Sequence, residues 1–263
     1  MLLLLPTPIG NLKDITKRAL EALFESEIIF CEDTRVTKKL LNLYNIPLNK
    51  KFISMHSHNE DKVISNLNPD ILKNNLCVYV SDAGMPGISD PGSKLVRFCL
   101  ENELPYSVLP GPSAFITAFA ASGFEGEFTF FGFLPHKGEK RQKKLKEVIR
   151  NNKISILYES PHRIEKLLNE LKNFIPERNI FLAKELTKIH ETYIKDKVKN
   201  IHIQNTKGEW VIVIDKGEGV KKLELNYEEI LNLSLPLKEK AKLLSKITDK
   251  PIKTIYNELL SER

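Results

Sequence analysis

Short apolar runs alternate with helix-periodic stretches along most of this chain, and that alternation is the tightest constraint on its fold. In the first half the runs fall at residues 2–5, 28–31, 52–55, 76–80 and 106–109. Continuously apolar strands are buried on both faces, which happens when helices cover both sides of a parallel sheet. The stretches between the runs read as helices: Leu12, Ile15, Ala19, Leu20 and Leu23 recur at helical spacing. Ser89-Asp90-Pro91 predicts a helix start with Asp90 as N-cap and Pro91 at the first helical position. Ser113 predicts the cap of an apolar helix that ends near Gly123. The fold class expected is therefore α/β, with a mostly parallel first sheet.

A second α/β unit follows, with strands expected at 128–133, 154–158, 180–183, 192–194, 201–203 and 210–214. Ser160-Pro161 repeats the cap-plus-proline start, and Ile164, Leu167, Leu168 and Leu171 mark one buried helix face. Beyond Gly217-Glu218-Gly219 the strand signal ends. Leu237, Ala241 and Leu244 suggest one short helix and Ile255, Tyr256 and Leu259 another, with a break at Thr248-Asp249-Lys250-Pro251. This tail is either a small helix-turn-helix module or a helical extension packed on its own domain or a partner subunit. The expected organisation is an N-terminal α/β domain at 1–123, a second at 124–219 and a helical extension at 220–263. A chain of 263 residues accommodates two domains of about 110 residues and an appendage.

Composition narrows the classes. With 41% hydrophobic and 28% charged residues the chain reads as globular. No apolar run approaches the roughly 18 residues that cross a bilayer, so no membrane partner is expected. The opening leucines stop at Pro6 and lack a basic leader, so they read as a first buried strand and not a signal peptide. Cys31, Cys77 and Cys99 are far apart with no CxxC, which points to buried thiols and a cytoplasmic protein. Residues 137–153 hold eight basic and two acidic side chains, a surplus that equals the formal net charge of +6 for the whole chain. Such a segment is either a solvated helix face or a phosphate-binding surface for nucleic acid.

Three loops that leave strand ends carry unusual chemistry: Pro6-Thr7-Pro8-Ile9-Gly10-Asn11, the run from Ser81 to Gly92 (SDAGMPGISDPG), and Pro110-Gly111-Pro112-Ser113-Ala114. Glycine and proline fix tight backbone paths, and in open α/β sheets ligands bind outside the carboxyl ends of the strands. Three such loops on one sheet edge point to one pocket. The chain lacks GxGxxG after its first strand, a P-loop lysine, a GxSxG elbow and HExxH. His190-Glu191 lacks a second metal-spaced histidine, and His56 with His58 lacks a third ligand, so no metal is expected.

With these loops the chain resembles the tetrapyrrole-methylase-like (class III) methyltransferases, and among them the branch that modifies small-subunit ribosomal RNA. The matching strings are PTPIGNL, EDTRVTKKLL, SDAGMPGISDPG, LPGPSA, FFGFLPHKG, YESPHR, KELTKIHE and GEWVIVI, in order from residue 6 to residue 214. The resemblance implies two α/β domains with S-adenosylmethionine in the cleft between them. It also implies a homodimer that methylates the 2′-hydroxyl of a decoding-centre cytidine in 16S rRNA, within the assembled small subunit. On that reading Pro8, Asp82, Ala83, Gly84, Ile88, Ser113 and Ala114 bind the cofactor from the first domain, and Tyr158, Ala183, Leu186, Gly208 and Glu209 from the second. Asp82 alternatively caps a turn. Arg35, Arg163, Lys143 and Lys144 are expected to contact the RNA. Glu185, Glu191 and Lys188 are the candidates for the chemistry, the two glutamates as proton acceptors or as salt-bridge partners of nearby cations. Two other readings compete. One keeps the fold and methylates a tetrapyrrole or a modified histidine of an elongation factor; the other is an RNA-binding protein without a cofactor.

Overall fold

The computed structural model describes residues 1–217, 226–248 and 250–261. The chain divides into two compact units, Met1–Glu218 and Gly219–Arg263. The first unit holds two five-stranded sheets.

The first sheet comprises β1 (Leu2–Leu5), β2 (Ile28–Cys31), β3 (Lys51–Ser54), β4 (Cys77–Val80) and β5 (Tyr106–Val108) in the order β3-β2-β4-β1-β5, every pairing parallel. The connecting helices are α1 (Lys17–Glu25), α2 (Thr34–Leu43), α3 (Glu60–Ser65), α4 (Pro69–Asn74), α5 (Ser93–Glu101) and α6 (Ala114–Ser122). β2 and β4 are buried along their whole length. Leu4, Phe30 and Tyr79 face one core layer, while Leu5, Ile29 and Val78 face the other. Both faces are covered, as the apolar runs predict. The three cysteines are free and buried.

The second sheet comprises β6 (Phe128–Phe133), β7 (Ile154–Glu159), β8 (Asn179–Lys184), β9 (Thr192–Lys197) and β10 (Trp210–Ile214) in the order β6-β7-β10-β8-β9. Two further helices are α7 (Gly138–Arg150) and α8 (Ile164–Phe174). Only β6 and β7 run parallel; β10 is antiparallel to both neighbours and β9 to β8. One face packs on α7 and α8 through Leu157, Ile212 and Leu168. The other packs on α6 and the first loop through Ile156, Val211, Phe115 and Ile9.

Local expectations give way in five places. The first helix begins at Lys17, capped by Thr16 Oγ1 accepting from Ala19 N–H at 3.2 Å; Leu12 lies in a short 3₁₀ turn before it and Ile15 follows that turn. Asp90 is not an N-cap: α5 begins at Ser93 after Gly92, and the Gly92 N–H donates to the buried Glu60 Oε1 at 3.0 Å. Ser113 stands at the N-cap of α6, but its side chain makes no cap bond. Ser160-Pro161 opens a turn and not α8: the Arg163 N–H donates to the Ser160 carbonyl at 3.0 Å, the Arg163 side chain reaches the Leu134 carbonyl and Glu159, and the helix begins at Ile164. Residues 201–203 form no strand: Ile201 is buried in the core below α8, and its apolar spacing is satisfied without a ladder.

In the second unit α9 (Tyr227–Asn232), α10 (Leu237–Thr248) and α11 (Ile252–Ser261) enclose Ile230, Ala241, Leu244, Ile255 and Leu259. A capping box starts α9, with Asn226 Oδ1 accepting from Glu229 N–H and Glu229 Oε2 from Asn226 N–H. The boundary expected at 219/220, and Asp249 in the expected helix break, lie outside the described residues. No described helix is long and apolar enough to cross a membrane.

Candidate active site

Parallel strands put the loops after β1, β4 and β5 on one edge, and short contacts stitch them together. Thr7 and Gly84 exchange a pair of N–H···O bonds of 3.0 Å. A Cβ on Gly111 would lie 2.9 Å from the Pro6 ring, so the third loop rests directly on the first. Where they face the second sheet they enclose a cavity of ≈ 470 Å³, within the size range of small-molecule sites.

Asp82, Ala83, Gly84, Ile88 and Ala114 line this cavity from the first sheet's loops, and Tyr158, Leu186 and Glu209 from the second sheet. The other residues expected to hold a cofactor stand outside its wall. Pro8 and Ser113 belong to the lining loops, Ala183 is buried in β8, and Gly208 packs against Glu185. Tyr158 ties the two halves together, its hydroxyl accepting from Phe115 N–H at 3.3 Å.

The wall is acidic. Glu32, Asp82, Asp90, Glu159 and Glu209 line it, and among the described residues no lysine or arginine does. Glu32 Oε1 accepts from Asp82 N–H at 3.1 Å, and Asp82 Oδ1 accepts from Asp33 N–H at 3.2 Å. Burial pushes both carboxyls up, partly offset by those backbone bonds. Burial, then the charges of Glu32 and Asp82, push Asp90 up to about 7. Such a wall repels a phosphate-bearing cofactor and favours a cationic one.

The three residues expected to do chemistry sit together beside the cavity, in the loop after β8. Lys188 Nζ contacts Glu185 Oε1 and Glu209 Oε2, each at 2.9 Å, and Glu185 Oε1 also accepts from Glu209 N–H at 2.8 Å. Glu191 Oε2 accepts from Thr187 N–H at 2.6 Å. Burial alone would raise the Glu185 carboxyl, but the Glu209 N–H and Lys188 outweigh it and hold it low. Burial works against the Lys188 charge, and the two glutamates overcome it and raise its pKa. Two non-glycine residues here adopt left-handed backbone, Glu185 at φ 53° and Thr187 at φ 63°, the kind of strain that collects at functional loops.

The expected RNA contacts divide. Lys143 is exposed, whereas Lys144 pairs with Glu147 at 2.9 Å and lies 5.1 Å from the centroid of the Phe131 ring. Arg35 is exposed and forks onto Asp33, which it holds down to about 2. Arg163 is engaged with Glu159 Oε1 at 2.7 Å and the Leu134 carbonyl at 3.0 Å. Of the lining residues absent from the expected cofactor set, Glu32 had a signal: it is the first polar residue after a buried strand, at the ligand-binding edge. Asp90, inside the expected pocket loop, and Ser160 read in sequence as parts of helix starts and line the cavity instead. His58 N–H donates to His56 Nδ1 at 3.3 Å, and among the described residues no group of three His, Cys, Asp or Glu could hold a metal.

A family model described as tetrapyrrole (corrin/porphyrin) methylases matches residues 1–202. A protein of Campylobacter fetus named ribosomal RNA small subunit methyltransferase I is 45% identical over 99% of this chain and all of its own. One of the same name from Helicobacter pylori is 42% identical over 100% of this chain and 98% of its own. One from Thermotoga maritima is 40% identical over 82% and 99%. Among solved structures the methyltransferase CobJ matches with a TM-score of 0.62 at 17% identity, covering 82% of this chain and 94% of that one. That likeness concerns the fold.

Proposed function

The chain belongs to the tetrapyrrole methylase family, among the ribosomal RNA small subunit methyltransferase I proteins, and on that premise we propose that it methylates small-subunit ribosomal RNA from S-adenosylmethionine. The target we assign is the ribose 2′-hydroxyl of a decoding-centre cytidine in 16S rRNA, presented in the assembled subunit to a cytoplasmic homodimer. The observation that carries the reading is the cavity itself, acidic on its wall and set at the carboxyl edge of a parallel sheet against a second sheet.

S-adenosylmethionine brings a sulfonium and an ammonium, and a wall of carboxylates without a cation fits both. When bound, the cofactor supplies the methyl electrophile. Asp82, Ala83, Gly84, Ile88 and Ala114 would hold it, with Pro8 and Ser113 shaping the loops and Tyr158, Leu186 and Glu209 closing the far side. Ala183 and Gly208 support that side from behind. The protein's work is then alignment and exclusion of water. Glu185, Lys188 and Glu191 keep the loop bearing Leu186 in shape through their mutual bonds.

The test is transfer of labelled methyl to small subunits that lack their native methylations, with the product mapped by nuclease digestion and mass spectrometry. A single 2′-O-methylcytidine in the decoding centre is expected. No incorporation by protein that binds the cofactor would move the assignment to a small-molecule or protein substrate.

RNA is gripped on this reading by α7, which leaves Lys140, Lys143, Lys146 and Arg150 exposed, and by Lys137 just before it. Arg35 adds a contact near the cavity mouth. Each neutralised phosphate steepens the salt dependence of binding by about 0.7–0.9 in log–log slope. Lys143→Ala is expected to flatten the slope by about that amount, and Lys144→Ala by less, since Glu147 already engages it. Filter binding at several salt concentrations measures both, and an unchanged slope for folded Lys143→Ala would remove α7 from the interface.

A further inference from the structure

We propose that Asp90 is the proton acceptor of the methyl transfer, ionised for that role by the positive charge the cavity takes up. This deepens the methyltransferase reading and rests on it. Asp90 sits on the cavity wall, in the loop between β4 and α5. Its sequence suggests a helix cap, yet the cap position belongs to Gly92 and the N–H there goes to Glu60. Among the described residues no N–H or O–H donates to the Asp90 carboxylate, and no cation pairs with it.

The other acidic residues on the wall are occupied. Glu32 and Asp82 each accept a backbone N–H, Glu209 holds Lys188, and Glu159 is fully buried between Arg163 and Arg141. Among the described residues Asp90 is the one wall carboxylate with neither oxygen in a hydrogen bond or an ion pair. Its neighbours explain its basicity. Glu32 from the end of β2 and Asp82 from its own loop add negative charge. Tyr79 from β4 and Tyr158 from β7 face it as neutral phenols, raised first by burial and further by nearby carboxylates that include Asp90. Glu209 acts on Tyr158 from the second sheet; Glu60 from α3, paired with Lys94 of α5, acts on Tyr79. Burial and those charges push the carboxyl up to about 7, so it carries its proton into the neutral range before any cation arrives.

The charges balance through the step. The ribose oxygen bonds to the methyl carbon, the carbon–sulfur bond breaks with its electron pair left on sulfur, and the hydroxyl proton passes to Asp90. One positive and one negative charge vanish together. The pairing matters because an unmatched charge in an enclosed cavity is costly.

Calorimetric titration with S-adenosylmethionine, in buffers of different ionisation enthalpy, counts the protons released on binding. The wild type is expected to release part of a proton per site from Asp90 near neutral pH, a fraction that grows as the pH falls below neutral and fades as it rises well above. Asp90→Asn is expected to lose that release and to bind the cofactor about tenfold more weakly at pH 7, because the charge that binding draws out of Asp90 must, by linkage, strengthen binding in return. Its kcat on small subunits should fall by about 10²-fold or more, with Asp90→Glu recovering part. Unchanged proton release in a folded Asp90→Asn protein, or a kcat within about threefold of wild type, would overturn the assignment while leaving the methyltransferase reading intact. Absence of saturable cofactor binding by the wild type would overturn both.

Discussion

Replacing Arg141 with methionine is expected to lower folding stability by about 3–5 kcal/mol, read as a shifted guanidinium midpoint at constant m-value. The Arg141 side chain is 3% exposed and stands between two carboxylates. Its Nη2 lies 2.7 Å from Glu170 Oε2, its Nε donates to Glu170 Oε1 at 3.2 Å, and its Nη1 donates to the Pro135 carbonyl at 3.2 Å. Glu159 Oε2 is 3.8 Å away, fully buried and without a hydrogen-bond donor of its own. Methionine fills much of the arginine's volume, so the loss is electrostatic and not a cavity. Glu170, a quarter exposed, can rehydrate, but Glu159 cannot. The double variant Arg141→Met, Glu159→Gln is expected to regain part of the loss, because it removes the stranded charge. A single-variant loss below about 1 kcal/mol would show that Arg163 alone neutralises Glu159.

Arg141 also shows where sequence stops speaking. It counts among the eight basic residues of the cationic segment, yet it points inward. The signal was present: Arg141 shares its helix face with Leu145 and Val148, at spacings of four and three. Charge counted along the chain hides a periodicity that charge counted around the helix reveals. The first sheet was legible because its central strands are apolar on both faces, which parallel order with helical cover requires. Strand direction in the second sheet was not. β10 is buried at every position, as a parallel strand would be, because helices cover both sides of an antiparallel centre. The cavity was legible as three loops on one edge. Asp90 lies in one of those loops, yet it and Ser160 both precede proline in patterns that usually start helices, and in both cases the chain turns once more before the helix begins.

On the proposed reading, Gly10→Ala is expected to weaken S-adenosylmethionine binding by about 10- to 100-fold by displacing the cavity wall. Gly10 lies in the loop after β1, where it meets the loop after β8 across the edge of the cavity. A Cβ there would stand 2.7 Å from the Leu186 carbonyl oxygen, 2.6 Å from Thr187 Oγ1 and 2.5 Å from Lys188 Cγ. The lysine carbon can rotate away, but the Leu186 carbonyl is held between two residues already in left-handed backbone. Asn11 N–H donates to Thr187 Oγ1 at 3.0 Å, so separating the loops also lengthens that bond. Leu186 lines the cavity, and moving its backbone displaces the wall where the cofactor is to be held. Overpacking of this kind costs about 1–3 kcal/mol, and a 100-fold loss of affinity corresponds to about 2.7 kcal/mol, so the strain is large enough to carry the whole effect. Calorimetric affinity and thermal denaturation separate its two destinations. A lower Tm with unchanged affinity would place the strain in the fold and leave the wall undisturbed. A large affinity loss with little change in Tm would mean that the loops part readily, and that their contact exists to shape the cavity.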